Sequence, residues 1–211
     1  MLEPNVRRCA HRRRPQLSRL RCSRGRDQAV EDMRAAGAVV VDPADLPNLS
    51  EWYDELPTTV LNYEFKDGIH RYLQRLGDGA PVRNLEEIIA FNEAHADREM
   101  PYFGQERLVA SQETGSLEDD AYLHAVRTIQ RRTREDGIDA LMNEHNLDAI
   151  VAPTRDPGWL TDHILGDRLE GGSSAGPAAI AGYPDITIPM GFVSGLPAGI
   201  SFFGRRGASR C

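Results

Sequence analysis

The sequence predicts a mixed α/β fold, a sheet with flanking helices. Three observations carry that expectation. Amphipathic helical stripes alternate with short apolar strand runs from Asp27 onward, the order of a layered α/β domain. The last two strand runs are joined by a turn too short for a helical crossover, which allows a non-parallel pair. With 211 residues, 40% of them hydrophobic, the chain is long enough for one domain with a real core, and no apolar run approaches the roughly 20 residues of a membrane span.

Taken in order, Gln28 to Ala36 reads as helix, with Gly37 placed as a left-handed C-cap. Ala38 to Val41 is a short buried strand closed by Asp42-Pro43. Leu61, Phe65, Ile69 and Leu73 recur every four residues, one apolar stripe on a helix beginning near Pro57. Asn84 to Glu87 reads as a capping box opening a second helix that runs to about Arg98. Ser116 is placed to cap a third, with Gly137 expected to break it. Leu147 to Pro153 is a buried strand ending at proline. Residues 154–175 form a long polar loop, a length that usually marks function. Small residues from Pro177 to Gly182 suit a short helix, and two strands follow near 186–189 and 198–203. All four strands are expected in one sheet.

Residues 1–26 stand apart. They hold nine arginines against a single acid, Glu3, so the net charge of -7 conceals a strongly acidic remainder. An acidic body argues against a nucleic-acid surface and for no nucleic-acid partner. The basic segment has too little apolar content to offset its ordering entropy, which predicts a disordered tail. A nucleic-acid arm, an organelle transit peptide and a stretch foreign to the fold all share this composition. The abrupt change at Asp27 favours the last. Cys9, Cys22 and Cys211 lie at the ends, so no disulfide framework is readable, and a reducing, cytoplasmic compartment is the default.

Candidate chemistry concentrates in the long loop. In Gly171-Gly172-Ser173-Ser174-Ala175-Gly176-Pro177 the small residues allow close backbone approach and free amide donors. A serine needs a base within reach to become a nucleophile. His163, Asp162 and Asp167 are near in sequence, but sequence does not say which way they face. Ser173 or Ser174 simply capping a helix is the plainer reading. Trp159 either walls a pocket or anchors its own loop. Trp159, Asp162, His163, Ser173 and Ser174 are therefore the substrate-pocket candidates, with no catalytic residue assigned. The six histidines form no H-x-x-x-H pair and read as surface residues, so no metal is expected. Glu86/Glu87 and Asp119/Asp120 suit helix starts rather than catalysis.

These pieces resemble a known family. The stretches "LDAIVAPTRDPGW", "GGSSAGPAAIAGYPDITIPMGF" and "GLPAGISFFG" are similar, in order and spacing, to the C-terminal part of the amidase signature family. "AVEDMRAAGAVVVDP" and "YEFKDGIHRYLQRLG" resemble the segments preceding it there. The resemblance spans about residues 27–204. It implies the C-terminal portion of an α/β/α fold and hydrolysis of carboxamide carbon–nitrogen bonds by a Ser–cis-Ser–Lys triad. It implies no metal or organic cofactor.

The same resemblance places the triad upstream of everything matched here. Lys66 is the single lysine and falls on the helix near Pro57 to Leu76, on what reads as an exposed face. Ser173 and Ser174 sit in the late loop of the family pattern. None of the three catalytic roles transfers to a residue of this sequence. Residues 205–211 depart from the family where a final helix would follow, and both ends read as truncation. Two function classes result. One is an amidase of small-molecule amides, inactive as this chain alone and completed by an N-terminal half. The other is a non-catalytic remnant or partner-binding module that completes an amidase fold. Members of the family take aliphatic, aromatic, peptide and tRNA-linked amides, so the substrate stays open, as does self-association.

Overall fold

The computed structural model describes residues 8–11, 19–167 and 173–207. In chain order the elements are β1 (Arg8–His11), α1 (Arg19–Ala35), β2 (Val39–Val41), α2 (Glu55–Leu76), α3 (Leu85–Ala94), α4 (Ala96–Glu99), α5 (Glu106–Gln112) and α6 (Asp120–Gln130). A π-type segment, Arg131–Ile138, is followed by α7 (Asp139–Glu144), β3 (Ala149–Pro153), α8 (Ala175–Ala181), β4 (Asp185–Val193) and β5 (Leu196–Phe203). The chain divides into two compact units, Met1–Trp52 with Gln130–Cys211, and Tyr53–Ile129. No helix among the described residues is long and apolar enough to cross a membrane.

The first unit holds a five-stranded sheet in the order β2-β1-β3-β5-β4. β1 runs parallel to both β2 and β3, while β5 is antiparallel to β3 and β4. The four expected strands thus share one mixed sheet. Directly paired residues point to the same face. Ile150, Ala152 and Phe203 lie on one face, packed with Trp52, Ile138, Leu141, Met142, Ala178 and Ala181. Val151 and Ile200 lie on the other, covered by Ala29 and Met33 of α1 and by Met190.

The helix expected from Gln28 is the second half of α1. It closes as predicted at Gly37, whose φ is +93°. The Gly37 amide donates to Arg34 O at 3.0 Å and the Ala38 amide to Met33 O at 2.9 Å, the paired bonds of a Schellman cap.

The expected disordered tail over 1–26 meets a different arrangement wherever that segment is described. The backbone of β1 pairs with Val39 to Val41 on one side and Ala149 to Val151 on the other. α1 runs unbroken from Arg19 past Asp27. Composition counts the side chains available for burial. A four-residue strand between two neighbours is held by backbone groups satisfied on both edges, which composition does not register. The rest of that tail, and residues 208–211, lie outside the described residues.

The second unit is helical. α2 opens on Asp54, whose carboxylate accepts the Leu56 amide at 2.9 Å. Its predicted stripe ends on buried Leu73, with Phe65 and Ile69 half-buried, but Leu61 is exposed. Lys66 is half-buried rather than exposed. Its Nζ donates to the Gln112 carbonyl at 2.9 Å and to that of Thr114, tying α2 to the end of α5. The sequence reading missed α5, a seven-residue helix too short to show a stripe. Asn84 caps α3 as expected, Oδ1 accepting the Glu87 amide at 2.9 Å, while Glu87 reaches back to the Arg83 amide. That helix stops at Ala94, and α4 is a separate turn of helix.

Gly137 does not break its helix. It lies inside the π-type segment, buried against Trp52. A Cβ there would stand 2.4 Å from Trp52 Cζ2 and 2.7 Å from Arg132 O. Close approach of an indole, not chain termination, is why glycine occupies the position.

Candidate functional site

The site forms at the carboxyl end of β3, where sheet geometry brings four segments together. The Thr154 amide donates to Gly199 O at 2.9 Å, extending the ladder one residue past Pro153. Register then sets Ser201 of β5 between Ala152 of β3 and Thr187 of β4, on the same face. Thr154 Oγ1, Thr187 Oγ1 and Ser201 Oγ close a ring of hydroxyls. The 154–201 separation is 2.9 Å, the 187–201 separation 2.8 Å and the 154–187 separation 3.4 Å. Ser201 is fully buried and Thr187 exposed. Three hydroxyls supply three donors for three contacts, so the ring satisfies the buried member. Gly199 makes room for it, because a Cβ there would stand 2.9 Å from both Thr154 Oγ1 and Thr187 Cγ2.

The Thr154 carbonyl gathers Ser173 and Ser174, while Gly171 and Gly172 of the same motif lie outside the described residues. The carbonyl accepts the Ser173 hydroxyl at 3.1 Å, the Ser174 hydroxyl at 3.3 Å and the Ser174 amide at 3.1 Å. Ser173 Oγ in turn accepts the Ala175 amide at 3.1 Å, capping the start of α8. Ser174 is buried and makes no side-chain cap bond. Among the described residues, neither hydroxyl bonds to a carboxylate, an imidazole or an amine.

The remaining candidates are held within their own loop. Trp159 Nε1 donates to Asp167 Oδ1 at 3.0 Å, and the Arg155 guanidinium stacks 5.3 Å from the indole centroid. Asp162 Oδ1 accepts the amides of Ile164 and Leu165, each at 2.9 Å. Those bonds, Leu165 first, hold its carboxyl below the usual carboxylate range against a small opposing effect of desolvation. His163 is exposed, and so are Leu160, Ile164 and Leu165. The structure therefore joins Ser173 to Ser174, and leaves Trp159 and Asp162 in a separate set of contacts.

Sequence reasoning missed Thr154, Thr187, Gly199 and Ser201. The available signal was a threonine directly after the strand-ending Pro153, and a serine alternating with apolar residues in Ile200 to Phe203. Nothing in linear spacing pairs positions 154 and 201; the β3–β5 register does.

The Ala-Gly-Tyr-Pro stretch beside the site has a structural task. Tyr183 OH donates to Asp139 Oδ2 at 2.8 Å, and Arg134 Nε donates to Ala181 O at 2.6 Å. The guanidinium also lies 5.7 Å from the Tyr183 ring centroid. Burial, then the bond to Asp139 and its charge, push the Tyr183 hydroxyl up, while Arg134 and Arg205 pull it the other way. Asp139 Oδ1 is buried without a hydrogen-bond partner. Gly182, with φ +66°, completes the turn in a conformation side chains disfavour. Together these contacts strap the α8–β4 turn onto α7. Among the described residues no group of three or more His, Cys, Asp or Glu is arranged to hold a metal ion.

Residues 13–210 match the family described as Amidase. A probable amidase of Arabidopsis thaliana is 33% identical over 187 residues, covering 85% of this chain and 32% of its own. The peptide amidase PAM, solved in complex with the competitive inhibitor chymostatin, is 42% identical with a TM-score of 0.87, covering 96% of this chain and 40% of its own. The native peptide amidase of Stenotrophomonas maltophilia is 40% identical with a TM-score of 0.84, again over 96% and 40%. The chain thus spans about a third of the length of the curated relatives it matches.

Proposed function

This chain belongs to the amidase family, and from that premise we propose that it forms the substrate-side part of an amidase, contributing to hydrolysis of a carboxamide carbon–nitrogen bond without supplying the nucleophile. The observation that carries this reading is the commitment of both Ser173 and Ser174 hydroxyls to the Thr154 carbonyl. A serine nucleophile gives its proton to a base. A backbone carbonyl is no such base, so this glycine–serine turn acts as scaffolding. Lys66 has its Nζ occupied as a donor to two carbonyls in the second unit, those of Gln112 and Thr114.

The catalytic groups would come from the remainder of an amidase fold, which the relatives carry and the matched stretch does not include. The loop of residues 154–174 follows a strand carboxyl end, where α/β folds place ligands. Trp159, Asp162 and His163 would border the leaving side of the substrate there. Peptide amidases among the relatives favour a small carboxamide of the peptide type. A purely non-catalytic module that completes an amidase fold is the same assembly with its activity lost.

The test is purified 1–211 assayed against aliphatic, aromatic and peptide amides, beside a Ser173→Ala/Ser174→Ala double variant. We expect no turnover from either. Turnover by the first that the second abolishes would make this turn a catalytic site in its own right.

A further inference from the structure

We infer that Arg134 and Asp139 are positioning residues for the Ser173–Ser174 turn, which they hold in place through α8, the inference resting on the reading above that this turn borders the substrate. Arg134 lies in the π-type segment and Asp139 directly follows it. The Asp139 amide donates to Arg134 O, an i→i+5 bond. In an α-helix, residues five apart point about 140° from one another. The wider π turn brings them back to nearly one face. That face meets the α8–β4 turn. Arg134 Nε donates to Ala181 O at 2.6 Å, and its guanidinium lies over the Tyr183 ring. Tyr183 OH donates to Asp139 Oδ2 at 2.8 Å. Gly182 lets the guanidinium lie against the turn, because a Cβ there would stand 3.2 Å from Arg134 Nη2. The contacts close a circuit, from Arg134 to Tyr183 to Asp139 and back to Arg134 through one π turn.

The helix between clamp and turn is short and smooth. α8 has seven residues, and its buried face consists of Pro177, Ala178 and Ala181. Side chains this small interlock little with their neighbours, so burial alone fixes the helix poorly along its own axis. Its ends set its place. At one end the Thr154 carbonyl holds both serine hydroxyls and the Ser174 amide. At the other, Arg134 and Asp139 hold Ala181 and Tyr183. The Gly182 amide donates to Ala179 O and the Tyr183 amide to Ala178 O, so the clamped turn is itself bonded into the helix. A displacement at Ala181 therefore reaches Ser174 as a shift of the whole rod. The contacts at Thr154, 3.1 to 3.3 Å long, already stand at the far end of the hydrogen-bond range, and a small axial shift breaks them. A strap that serves stability protects the fold evenly. A positioning clamp protects above all the far end of α8.

The experiment compares full-length 1–211 with its variants by hydrogen exchange, without substrate. Arg134→Met keeps the apolar stem and removes the donor and the charge. Arg134→Lys keeps a donor without the planar fork. In Arg134→Met and in Asp139→Ala, the amides of Ser174 and Ala175 should speed up at least about tenfold more than those of β3. In Arg134→Lys and Asp139→Asn, each of which keeps a bond of the clamp, that excess should stay within about threefold. Equal acceleration at both places would show a strap for stability alone and overturn the inference. So would fast exchange confined to Gly182 and Tyr183, or lysine and asparagine variants no better protected than methionine and alanine ones. Where the methionine or alanine variant does not fold, Tyr183→Phe takes its place, keeping the ring and removing the donor to Asp139. The same excess at Ser174 and Ala175 is expected there, and its absence refutes the assignment. The amide assay above judges the amidase reading, and exchange judges this one.

Discussion

Ser201 Oγ lies 2.9 Å from Thr154 Oγ1, joining the middle of β5 to the residue on which the Gly/Ser segment closes. Because the Thr154 carbonyl holds Ser173 and Ser174, the buried Ser201 steadies, through Thr154, a pair of serines to which it makes no hydrogen bond of its own. Ser201→Ala should cost about 1 kcal/mol in urea unfolding, and Thr154→Val about as much or more, since each leaves a hydroxyl short of a partner. Replacing all three ring hydroxyls with apolar groups of similar shape should be milder than the sum of the single losses. Strict additivity across that series would refute a cooperative ring.

Gly137→Ala separates packing from helix propensity. Propensity alone predicts a gain of about 1 kcal/mol for alanine in a helix interior. The Trp52 ring, 2.4 Å from where the Cβ would stand, predicts instead a loss of roughly 1–3 kcal/mol from overpacking. Thermal melts with indole fluorescence decide the sign.

Tyr183→Phe removes the donor to Asp139 Oδ2 and leaves that carboxylate with neither oxygen paired by a side chain, a loss of roughly 1–3 kcal/mol. The pH dependence has a definite sign. The folded state holds the phenol neutral beyond its ordinary pKa of about 10. Its stabilisation is complete below that value and is lost as pH rises through the raised one. Unfolding from pH 8 to 11 should show a steeper alkaline loss in the wild-type chain than in the phenylalanine variant. Tyr122 shares the direction, through burial and then its bond to Glu64, and leaves a common background in both proteins.

Asp162→Asn should loosen the turn at residues 163–166 with little effect on global stability. In the wild-type chain the lowered carboxyl pKa means the charged turn is fully favoured above the ordinary carboxylate value. It is lost as pH falls through the lowered one. Limited proteolysis near Leu165 should accelerate at low pH in the wild type. In the asparagine variant it should be fast and flat with pH.

Trp159→Ala should expose the same loop while moving global stability by no more than about 0.5 kcal/mol, as a surface substitution does. In an intact relative the aligned change should shift substrate preference. A large loss of stability there would show that the indole serves folding instead.

Local physics made much of this protein legible from its letters. Gly37 ends a helix because only its φ suits a Schellman cap; Asn84 and Glu87 cap a helix through neighbours three residues apart; the strand expected over Leu147 to Pro153 forms over Ala149 to Pro153, because a short apolar run with β-branched residues has few other uses. The spaced motifs around Ala-Gly-Tyr-Pro identified the family because their order survives as text. The candidate site was legible only in part. Ser173 and Ser174 stood out by composition, but their role depended on the Thr154 carbonyl, twenty residues away along the chain. Thr154, Thr187 and Ser201 became one feature only through strand register. β1 was hidden because its support comes from backbone bonds on both sides, and Gly137 was misread because the Trp52 ring that explains it lies 85 residues distant in sequence. Sequence determines what each segment prefers by itself. Contacts between remote segments depend on which surfaces the assembled sheet and helices bring within reach, and those the tertiary structure alone decided.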